Sequence, residues 1–280
     1  MTNSKAKAVY LHALTPLHVG TGQAVANLDL PIAREKATGF PLIPASAFKG
    51  VLRDYFSSQN WASTAFGSTE QAGALAFTDL HLLCLPVRSY HGTFAYVTCP
   101  LVLHRYNRAV RALGARKTLP NVPDVSDEST NLMIILPTSE SVLAHNGQVY
   151  LEDLDLKVEV RQNVSETAQR MAETFFKDKH KLFVERFAIV SDSTFSFLAE
   201  TATEVVARVR LQDETKTVAQ GALWYEEMLP AESLLYGFIT VADHFRQDTN
   251  PLQQLPNSEF TLQIGGDATI GRGVCRVVIE

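Results

Sequence analysis

The sequence predicts a mixed α+β fold, and three observations lead to that prediction. Strand-like runs rich in β-branched and aromatic residues occur along the whole chain, for example at 132–136 and 204–211. Segments with apolar residues three and four positions apart, typical of amphipathic helices, lie between them. The two kinds of element follow no regular β–α alternation, which disfavours a doubly wound parallel sheet. For 280 residues, one large domain and two small ones are both possible, and we take a single domain over 1–280 as the expectation, because the chain can bury one sizeable core.

Composition and cysteine usage limit the class of protein. Of the 280 residues, 46% are hydrophobic and 20% are charged, and the three cysteines show no CxxC spacing. This cysteine usage favours a reducing compartment and argues against a disulfide framework or a cysteine-based zinc site. No run approaches the ~20 apolar residues of a membrane helix. The N-terminal residues lack the apolar core of a signal peptide, so we expect a cytoplasmic protein.

Charge is distributed unevenly. The formal net charge of −5 argues weakly against a polyanionic partner. However, 81–118 carries six Lys or Arg residues and no acid, whereas 121–170 carries nine acids and three bases. Four aromatic residues are interspersed with the basic stretch: Tyr90, Phe94, Tyr96 and Tyr106. Rings beside cations are typical of single-stranded nucleic-acid binding, but aromatic residues of a sheet core and ordinary patchy charge give the same pattern.

The first strand, predicted over 9–14, leads into a long loop with unusual backbone chemistry. Gly20 and Gly22 permit tight turns and a close approach of the backbone to a ligand. No GK[ST] sequence follows, so a P-loop is not supported. Asp29 lies on a proline-stiffened arm, which suits a carboxylate held out toward a substrate, although most loop aspartates are simply solvated.

A helix is predicted to begin at Ser46, which would cap its N-terminus. Its apolar face has helical spacing and comprises Phe48, Val51, Leu52, Tyr55 and Phe56. Lys49 and Arg53 fall on the other side. A lysine in the first turn of a helix suits a phosphate group, and an ordinary solvated face is the competing interpretation.

The remainder of the chain predicts further strands and one more helix. The predicted strands are 72–85, 93–103, 132–136, 149–160, 183–190, 204–211, 221–228 and 234–241. A loop is expected at 119–130, and Ser165 is expected to cap a helix. Near the end of the chain, several glycines surround Arg272: Gly265, Gly266, Gly271 and Gly273. A glycine-rich hairpin explains them without function, but their density around an arginine favours a loop that binds an anionic backbone.

Catalytic signatures of common hydrolases are absent. Neither a serine-nucleophile motif nor HExxH occurs, which leaves a scattered set of candidates: His12, His18, Asp29, Glu35 and the Trp224–Glu227 cluster. Composition and spacing alone therefore indicate an α+β protein that binds RNA.

Five blocks of sequence carry a resemblance that extends this reading. In order they are LTPLHVGTG, LDLPIAREKATGFPLIPASAFKGVLR, PVRSYHGTFAYVTCPLVL, GALWYEE and LQIGGDATIGRGVCRV. Together they resemble the RAMP superfamily and, more narrowly, the repeated backbone subunits of type III-B CRISPR (Cmr) effector complexes. The similarity spans nearly the whole chain and is looser over 119–203.

The resemblance implies a fold and a set of partners. The fold would be a modified ferredoxin-like (RRM-like) palm with an inserted β-hairpin thumb, which we place within 81–160, and a helical insertion at about 164–200. Subunits of this kind stack as further copies of themselves along one guide RNA, the crRNA. They assemble with other Cmr subunits, including the small subunit and the large polymerase-like subunit, and they cut the paired target RNA at regular intervals. No membrane partner is expected.

The resemblance also implies site residues. Asp29 matches the catalytic loop acid of the family, and His18 and Glu226 match supporting groups. Met228 stands where some relatives have a tyrosine. RNA contacts are expected at Lys49, Arg53, Gly20, Gly22, Gly265, Gly266, Arg272 and Gly273. A loosely bound divalent metal ion, Mg²⁺ or Mn²⁺, is expected at Asp29, which would act either as a base or as a metal ligand.

Two other functions remain open. The chain would be a non-catalytic, guide-binding structural subunit if another protein did the cutting. It would be an independent RNase that matures guide precursors if a histidine-centred site were present, and only His12 and His18 support that reading.

Overall fold

The computed structural model of the chain describes residues 6–20, 29–115, 117–120, 122–127, 131–176, 180–212, 214–215, 217–242 and 250–280. Its strands are β1 (Ala6–Ala13), β2 (Leu42–Ile43), β3 (Leu75–Phe77), β4 (Leu80–Arg88), β5 (Phe94–Thr98), β6 (Leu132–Leu136), β7 (Gln148–Leu151), β8 (Leu154–Val160), β9 (Phe187–Val190), β10 (Glu204–Leu211), β11 (Val218–Met228), β12 (Leu234–Val241), β13 (Glu259–Gln263) and β14 (Val274–Ile279). Its helices are α1 (Ala45–Tyr55), α2 (Ala62–Phe66), α3 (Pro100–Leu113), α4 (Ser165–Phe176), α5 (His180–Val184) and α6 (Asp192–Thr201). Among the described residues, no helix has the length and apolar character needed to cross a membrane.

One large mixed sheet organises the described residues, which confirms the predicted α+β class. The strand order is β13-β14-β1-β12-β4-β5-β9-β6-β8-β7, and β2 and β3 pair at its side. Most neighbours are antiparallel, but β5 with β9 and β6 with β8 are parallel. Every residue of β1 is buried, because helices cover one face while β12 and β14 flank its edges. Tyr10 shows this packing: its ring meets Phe175 of α4 and its hydroxyl meets that of Tyr106 on α3.

Helix α1 begins one residue earlier than the sequence predicts, and its N-cap is Pro44. The predicted cap at Ser46 is wrong, because Ser46 already lies inside the helix. The N–H of Ala45 instead donates to Oδ1 of Asp79 at 2.7 Å. The Asp79 carboxylate therefore accepts from an N–H at the helix N-terminus, a position that the sequence suggested for phosphate binding.

The predicted strand over 93–103 is wrong in its second half. Strand β5 ends at Thr98, and α3 begins at Pro100. Proline has no N–H and a fixed φ, so it fits the first turn of a helix. The basic tract therefore lies on a helix, where Arg105 faces the protein and Arg108 and Arg111 are exposed.

Aromatic residues of the basic stretch divide between core and surface. Tyr96 and Tyr106 are buried in the main core, and Phe94 packs against it. Tyr90 is 84% exposed at the turn between β4 and β5. The interpretation as sheet core therefore holds for most of this set.

Two ranges were expected to hold inserted segments, 81–160 for a thumb and about 164–200 for helices. Within 81–160, the strands β4 to β8 all belong to the main sheet. Strands β10 and β11 form a hairpin outside that sheet. Their pairing begins at Glu204 and Met228 and continues toward the turn of the hairpin. The range 164–200 is mainly helical, but it also contributes β9, which lies between β5 and β6.

Candidate active site

The segment after β1 and the glycine-rich loop before β14 form one continuous structure. The N–H of Gly266 donates to the carbonyl of His18 at 2.9 Å, and the N–H of Gly273 donates to the carbonyl of Pro16 at 2.9 Å. Gly265 has a φ of +85°, and a β-carbon there would lie 2.1 Å from the His18 carbonyl oxygen. The backbones therefore approach too closely for any residue except glycine at 265.

His18 is held in one tautomer by the main chain of β11. Its Nδ1 lies 2.7 Å from the carbonyl oxygen of Glu227. Because a carbonyl oxygen only accepts, Nδ1 carries the proton and donates it. A β-carbon at Gly20 would lie 2.8 Å from Nε2, so glycine at that position leaves space beside this nitrogen. Among the described residues, no hydrogen bond engages Nε2 of His18, whereas Nδ1 is held by β11.

Asp29 is exposed and is attached to the same strand. Its Oδ2 accepts a hydrogen bond from the N–H of Tyr225 at 2.8 Å. Leu30 then pairs with β11, because its N–H donates to the carbonyl of Tyr225 at 3.1 Å and its carbonyl accepts from the N–H of Glu227 at 3.0 Å. The segment from Asp29 to the start of β2 (residues 29–41, the Asp29 arm) is thus fixed to β11 by main-chain bonds. Gly22 lies outside the described residues.

Glu226, predicted as a supporting group, has a buried side chain with partners of its own. Only 5% of the residue is exposed. Its Oε1 accepts from Nε1 of Trp224 at 2.7 Å, and its Oε2 lies 3.7 Å from Nε of Arg208 on β10. These contacts stabilise the base of the β10–β11 hairpin beside Asp29. A role in the reaction itself stays a prediction.

The neighbouring acid, Glu227, was a candidate only as a member of the Trp224–Glu227 cluster, and the sequence predicted neither a role for it nor its partners Arg34 and Thr203. Oε2 of Glu227 accepts from the N–H of Ile32 at 3.0 Å, and Oε1 accepts from Arg34 and from Oγ1 of Thr203. The signal was present in the Glu226-Glu227 doublet. Because side chains alternate along a strand, two adjacent acids point to opposite faces, and each one that is buried needs partners of its own.

The cations Lys49 and Arg53, predicted to bind RNA, lie on α1. Lys49 and Arg53 are one turn apart on α1, so they share a helix face. Among the described residues, no hydrogen bond or ion pair joins either of them to His18 or Asp29. Helix α1 nevertheless follows directly from the Asp29 arm through β2.

The charge of Arg272 acts on Glu204, the first residue of β10. Burial raises the pKa of Glu204, and the positive charge of Arg272 opposes that rise. The glycine-rich loop thus carries its arginine toward the base of the hairpin.

His12 does not join the site. It is buried, and its Nε2 lies 2.9 Å from Glu232. The contact supports a structural role for His12, so the two predicted histidines form no shared centre.

The described residues bring no three His, Cys, Asp or Glu side chains together as a metal-binding cluster. The donor chemistry at Asp29 still fits Mg²⁺ or Mn²⁺. These cations prefer oxygen ligands, and Mg²⁺ usually keeps several waters and is bound by one or two carboxylates together with phosphate oxygens of the substrate. One exposed carboxylate beside an RNA backbone meets that requirement.

Comparison with known proteins gives the family. The sequence profile of the RAMP superfamily matches residues 10–276. The chain is 33% identical over 291 residues to the CRISPR system Cmr endoribonuclease Cmr4 of Pyrococcus furiosus, with 99% of this chain and 96% of that protein covered.

Solved structures agree with the sequence match. The fold is similar to that of oligomeric Cmr4 from Pyrococcus furiosus, with a TM-score of 0.77, 29% identity and 99% of each chain covered. It is also similar, as a fold alone, to a chain of the type III-B Cmr-beta complex bound to cognate target RNA. The TM-score is 0.72 there, with 18% identity and 98% and 96% of the two chains covered. The chain therefore belongs to the RAMP superfamily and, within it, to the family of the Cmr4 proteins.

Proposed function

We propose that this chain is a backbone subunit of a type III-B CRISPR ribonucleoprotein that binds crRNA and cuts the paired target RNA. The observation that carries the proposal is the convergence of two reactive groups on one strand. Tyr225 of β11 holds the Asp29 carboxylate through its N–H, and Glu227 holds the His18 imidazole through its carbonyl. Membership of the Cmr4 family supports the assignment as a backbone subunit.

The chemistry uses the nucleophile that RNA itself supplies. A 2′-OH loses its proton to Asp29 or to Nε2 of His18 and attacks the adjacent phosphorus. The O2′–P bond forms and the P–O5′ bond breaks, which leaves a 2′,3′-cyclic phosphate and a 5′-OH that takes up a proton. The reaction needs the nucleotide splayed out of A-form stacking, so that attack and departure are in line. The protein's task is to fix that geometry and to exchange the protons.

A divalent ion would be held by Asp29 together with RNA phosphate oxygens, and it would supply electrostatic stabilisation of the developing charge. Buried Glu226 would hold the hairpin base beside the site. The other residues proposed to contact RNA are Lys49, Arg53, Gly20, Gly22, Gly265, Gly266, Arg272 and Gly273. Lysine and arginine would neutralise phosphates, and N–H groups of the glycine-rich loop would donate to them.

The β10–β11 hairpin supports a revised position for the thumb of a ferredoxin-like palm, at 204–228 instead of 81–160. It lies outside the main sheet and exposes apolar side chains at Val205, Val209, Leu223 and Tyr225. Apolar wedges of this kind unstack neighbouring bases. Because Asp29 is bonded to Tyr225 of this hairpin, a wedged thumb would place the splayed nucleotide beside the carboxylate.

The proposed partners follow from the same assignment. Further copies of the chain would form a stack, as in the oligomeric Cmr4 structure, and the target RNA would lie along it. The small subunit and the large polymerase-like subunit of a Cmr complex would complete the assembly.

The test is cleavage of target RNA by the reconstituted complex containing Asp29→Asn. We expect the cleavage rate to fall at least ~100-fold, because a positioned acid–base group contributes about that much. Assembly and crRNA binding should stay unchanged. The matched control is Asp153→Asn, an equally exposed aspartate at the β7–β8 turn, which should cut like the wild type.

Cleavage by the Asp29→Asn complex at the wild-type rate would contradict the proposal and favour the non-catalytic guide-binding subunit. Repeating the assay with Mg²⁺, with Mn²⁺ and with a chelator tests the metal requirement separately. Activity of the isolated chain on hairpin RNA would favour the guide-maturing RNase instead.

A further inference from the structure

We infer that Glu227 is a positioning residue, which aligns the Asp29 arm and the His18 imidazole on β11 so that both address the same phosphodiester. The inference rests on the proposed function, since it assigns a role toward the groups named there. It concerns a residue that the family resemblance left without a role, the second acid of the Glu226-Glu227 pair.

The carboxylate of Glu227 is the meeting point of three donors. Oε2 accepts from the N–H of Ile32 at 3.0 Å, and Oε1 accepts from Oγ1 of Thr203 at 2.9 Å and from Nη2 of Arg34. The residue is only 4% exposed. A buried carboxylate is costly unless it is paired and hydrogen bonded, and here both requirements are met.

The main chain of Glu227 makes two further contacts, and both reach the candidate reactive groups. Its N–H donates to the carbonyl of Leu30 at 3.0 Å, one residue beyond Asp29. Its carbonyl accepts from Nδ1 of His18 at 2.7 Å. One residue therefore joins the arm, the imidazole and the strand, and a shift of Glu227 moves all three.

Arg34 extends this alignment to the body of the protein. Its Nη1 donates to the carbonyl of Gly39 at 2.7 Å, on the far side of the arm, and to the carbonyl of Ala199 at 2.9 Å, near the end of α6. The guanidinium thus closes the turn of the arm and fastens it to a helix. Arginine suits this position because its planar fork serves several acceptors at once.

Glu227 acts through its neighbours and does not touch the substrate. Its buried oxygens are engaged by Ile32, Arg34 and Thr203, so they are not available to a phosphodiester. Loss of this alignment should lower the cleavage rate, because displacing reacting groups by about 1 Å lowers rates up to ~100-fold.

The experiment compares Glu227→Gln with Glu35→Gln in the reconstituted complex. Glutamine keeps the shape but supplies a single acceptor oxygen where three donors converge. Glu35 is the matched control: it lies on the same arm and pairs with an arginine, but its partners are Arg105, His81 and Thr38, away from β11. We measure single-turnover cleavage against complex concentration, together with target affinity and assembly.

For Glu227→Gln we expect the saturating cleavage rate to fall 10- to 100-fold, with half-saturation and target affinity within twofold of the wild type. Glu35→Gln should keep the cleavage rate. A merely structural role would lower assembly or thermal stability in both variants and leave the rate of the assembled complex unchanged, which would overturn the inference.

Asp29→Asn in parallel separates the two proposals. If Asp29→Asn cuts normally, the proposed function fails; if it is inactive while Glu227→Gln cuts normally, only the positioning role fails. Should Glu227→Gln not assemble, Thr203→Val decides, because it removes one hydrogen bond and keeps the Arg34 pair. A three- to tenfold lower saturating rate supports the role, and an unchanged rate overturns it.

Discussion

Two carboxylate–arginine clusters hold the arm that follows Asp29, and they join it to different parts of the protein. The site cluster consists of Glu227, Arg34 and Thr203. The anchor cluster consists of Glu35, Arg105, His81 and Thr38. In both, a largely buried acid pairs with an arginine, and a histidine donates or accepts nearby. Their chemistry is similar, but their contacts are not.

Among the described residues, the anchor cluster reaches other elements through side chains, because the main-chain bonds of Glu35 stay within the arm, with Gly39 and Phe40. Arg105 of α3 contacts both oxygens of Glu35 at 2.7 and 2.8 Å, and His81 of β4 lies 2.6 Å from one of them. Burial acts to raise the pKa of Glu35, but the hydrogen bonds from His81, Arg105 and Thr38, with the charge of Arg105, lower it well below its usual range. This cluster fixes the arm to the sheet and to a helix.

The site cluster instead includes main-chain groups on both sides of the contact. Glu227 accepts from the N–H of Ile32, and its own N–H and carbonyl serve Leu30 and His18. Main-chain contacts fix register, whereas side-chain contacts fix only proximity. We therefore expect damage to the site cluster to lower the cleavage rate, and damage to the anchor cluster to lower stability.

The largest contrast is expected between the two histidines. His18→Gln keeps a donor for the Glu227 carbonyl but lacks a nitrogen that takes up a proton, so cleavage should fall ~100-fold or more. His81→Gln should leave the rate within twofold and lower the thermal midpoint. Single-turnover assays and thermal denaturation of the same preparations measure both effects. Equal rates for the two variants would remove His18 from the mechanism.

A smaller contrast is expected between two glycines with left-handed backbones. Gly265→Ala places a β-carbon 2.1 Å from the His18 carbonyl oxygen, whereas Gly147→Ala, at a φ of +78°, meets nothing within 4 Å. Both substitutions carry the left-handed penalty of roughly 1–2 kcal/mol. Only Gly265→Ala should also displace His18 and reduce cleavage, by about tenfold, since small misplacements are costly.

Target cleavage and urea unfolding of both alanine variants check this prediction. If Gly147→Ala lost as much activity as Gly265→Ala, general destabilisation would explain both results, and the contact between the glycine-rich loop and His18 would have no functional weight.

The smallest expected effect is the pH dependence of stability contributed by Glu35. Because its folded-state pKa is depressed, its contribution is present above the unfolded-state value and is lost as pH falls below about 4.5. Glu35→Gln should therefore cost ~1–3 kcal/mol in the free energy of unfolding at pH 7, and the difference from wild type should shrink toward pH 3.

Urea unfolding of wild type and Glu35→Gln at several pH values measures this difference directly. A difference that stays constant from pH 7 to pH 3 would mean that the ion pair with Arg105 contributes no pH-dependent stability.

Local sequence patterns predicted much of the fold. Strands 204–211 and 234–241 agree with β10 and β12, because apolar and β-branched runs bounded by turns leave little choice. The prediction was wrong where one apolar run crosses a boundary. In 93–103 the residues after Pro100 are as apolar as the strand before it, and only the helix-starting tendency of proline marks the change.

The contacts that assemble the candidate site could not be predicted from the sequence. The two contacts that define it, His18 with Glu227 and Asp29 with Tyr225, join residues 209 and 196 positions apart. Local periodicity carries no information on such distances. The sequence does not distinguish the two adjacent glutamates, Glu226 and Glu227. Only the pairing of β11 with the arm determines which of them contacts Arg34.

The position of β1 has a consequence for biosynthesis. This strand lies between β12 and β14, and the carbonyl of His18 just after it bonds to Gly266. A ribosome makes about 5–20 residues per second, so β1 emerges tens of seconds before either neighbour exists. During that interval a strand rich in apolar residues has both edges unpaired, which is a hazard for aggregation and a natural binding target for chaperones. The contacts of His18 with Glu227 and Gly266 therefore form only after these later segments of the chain have been made.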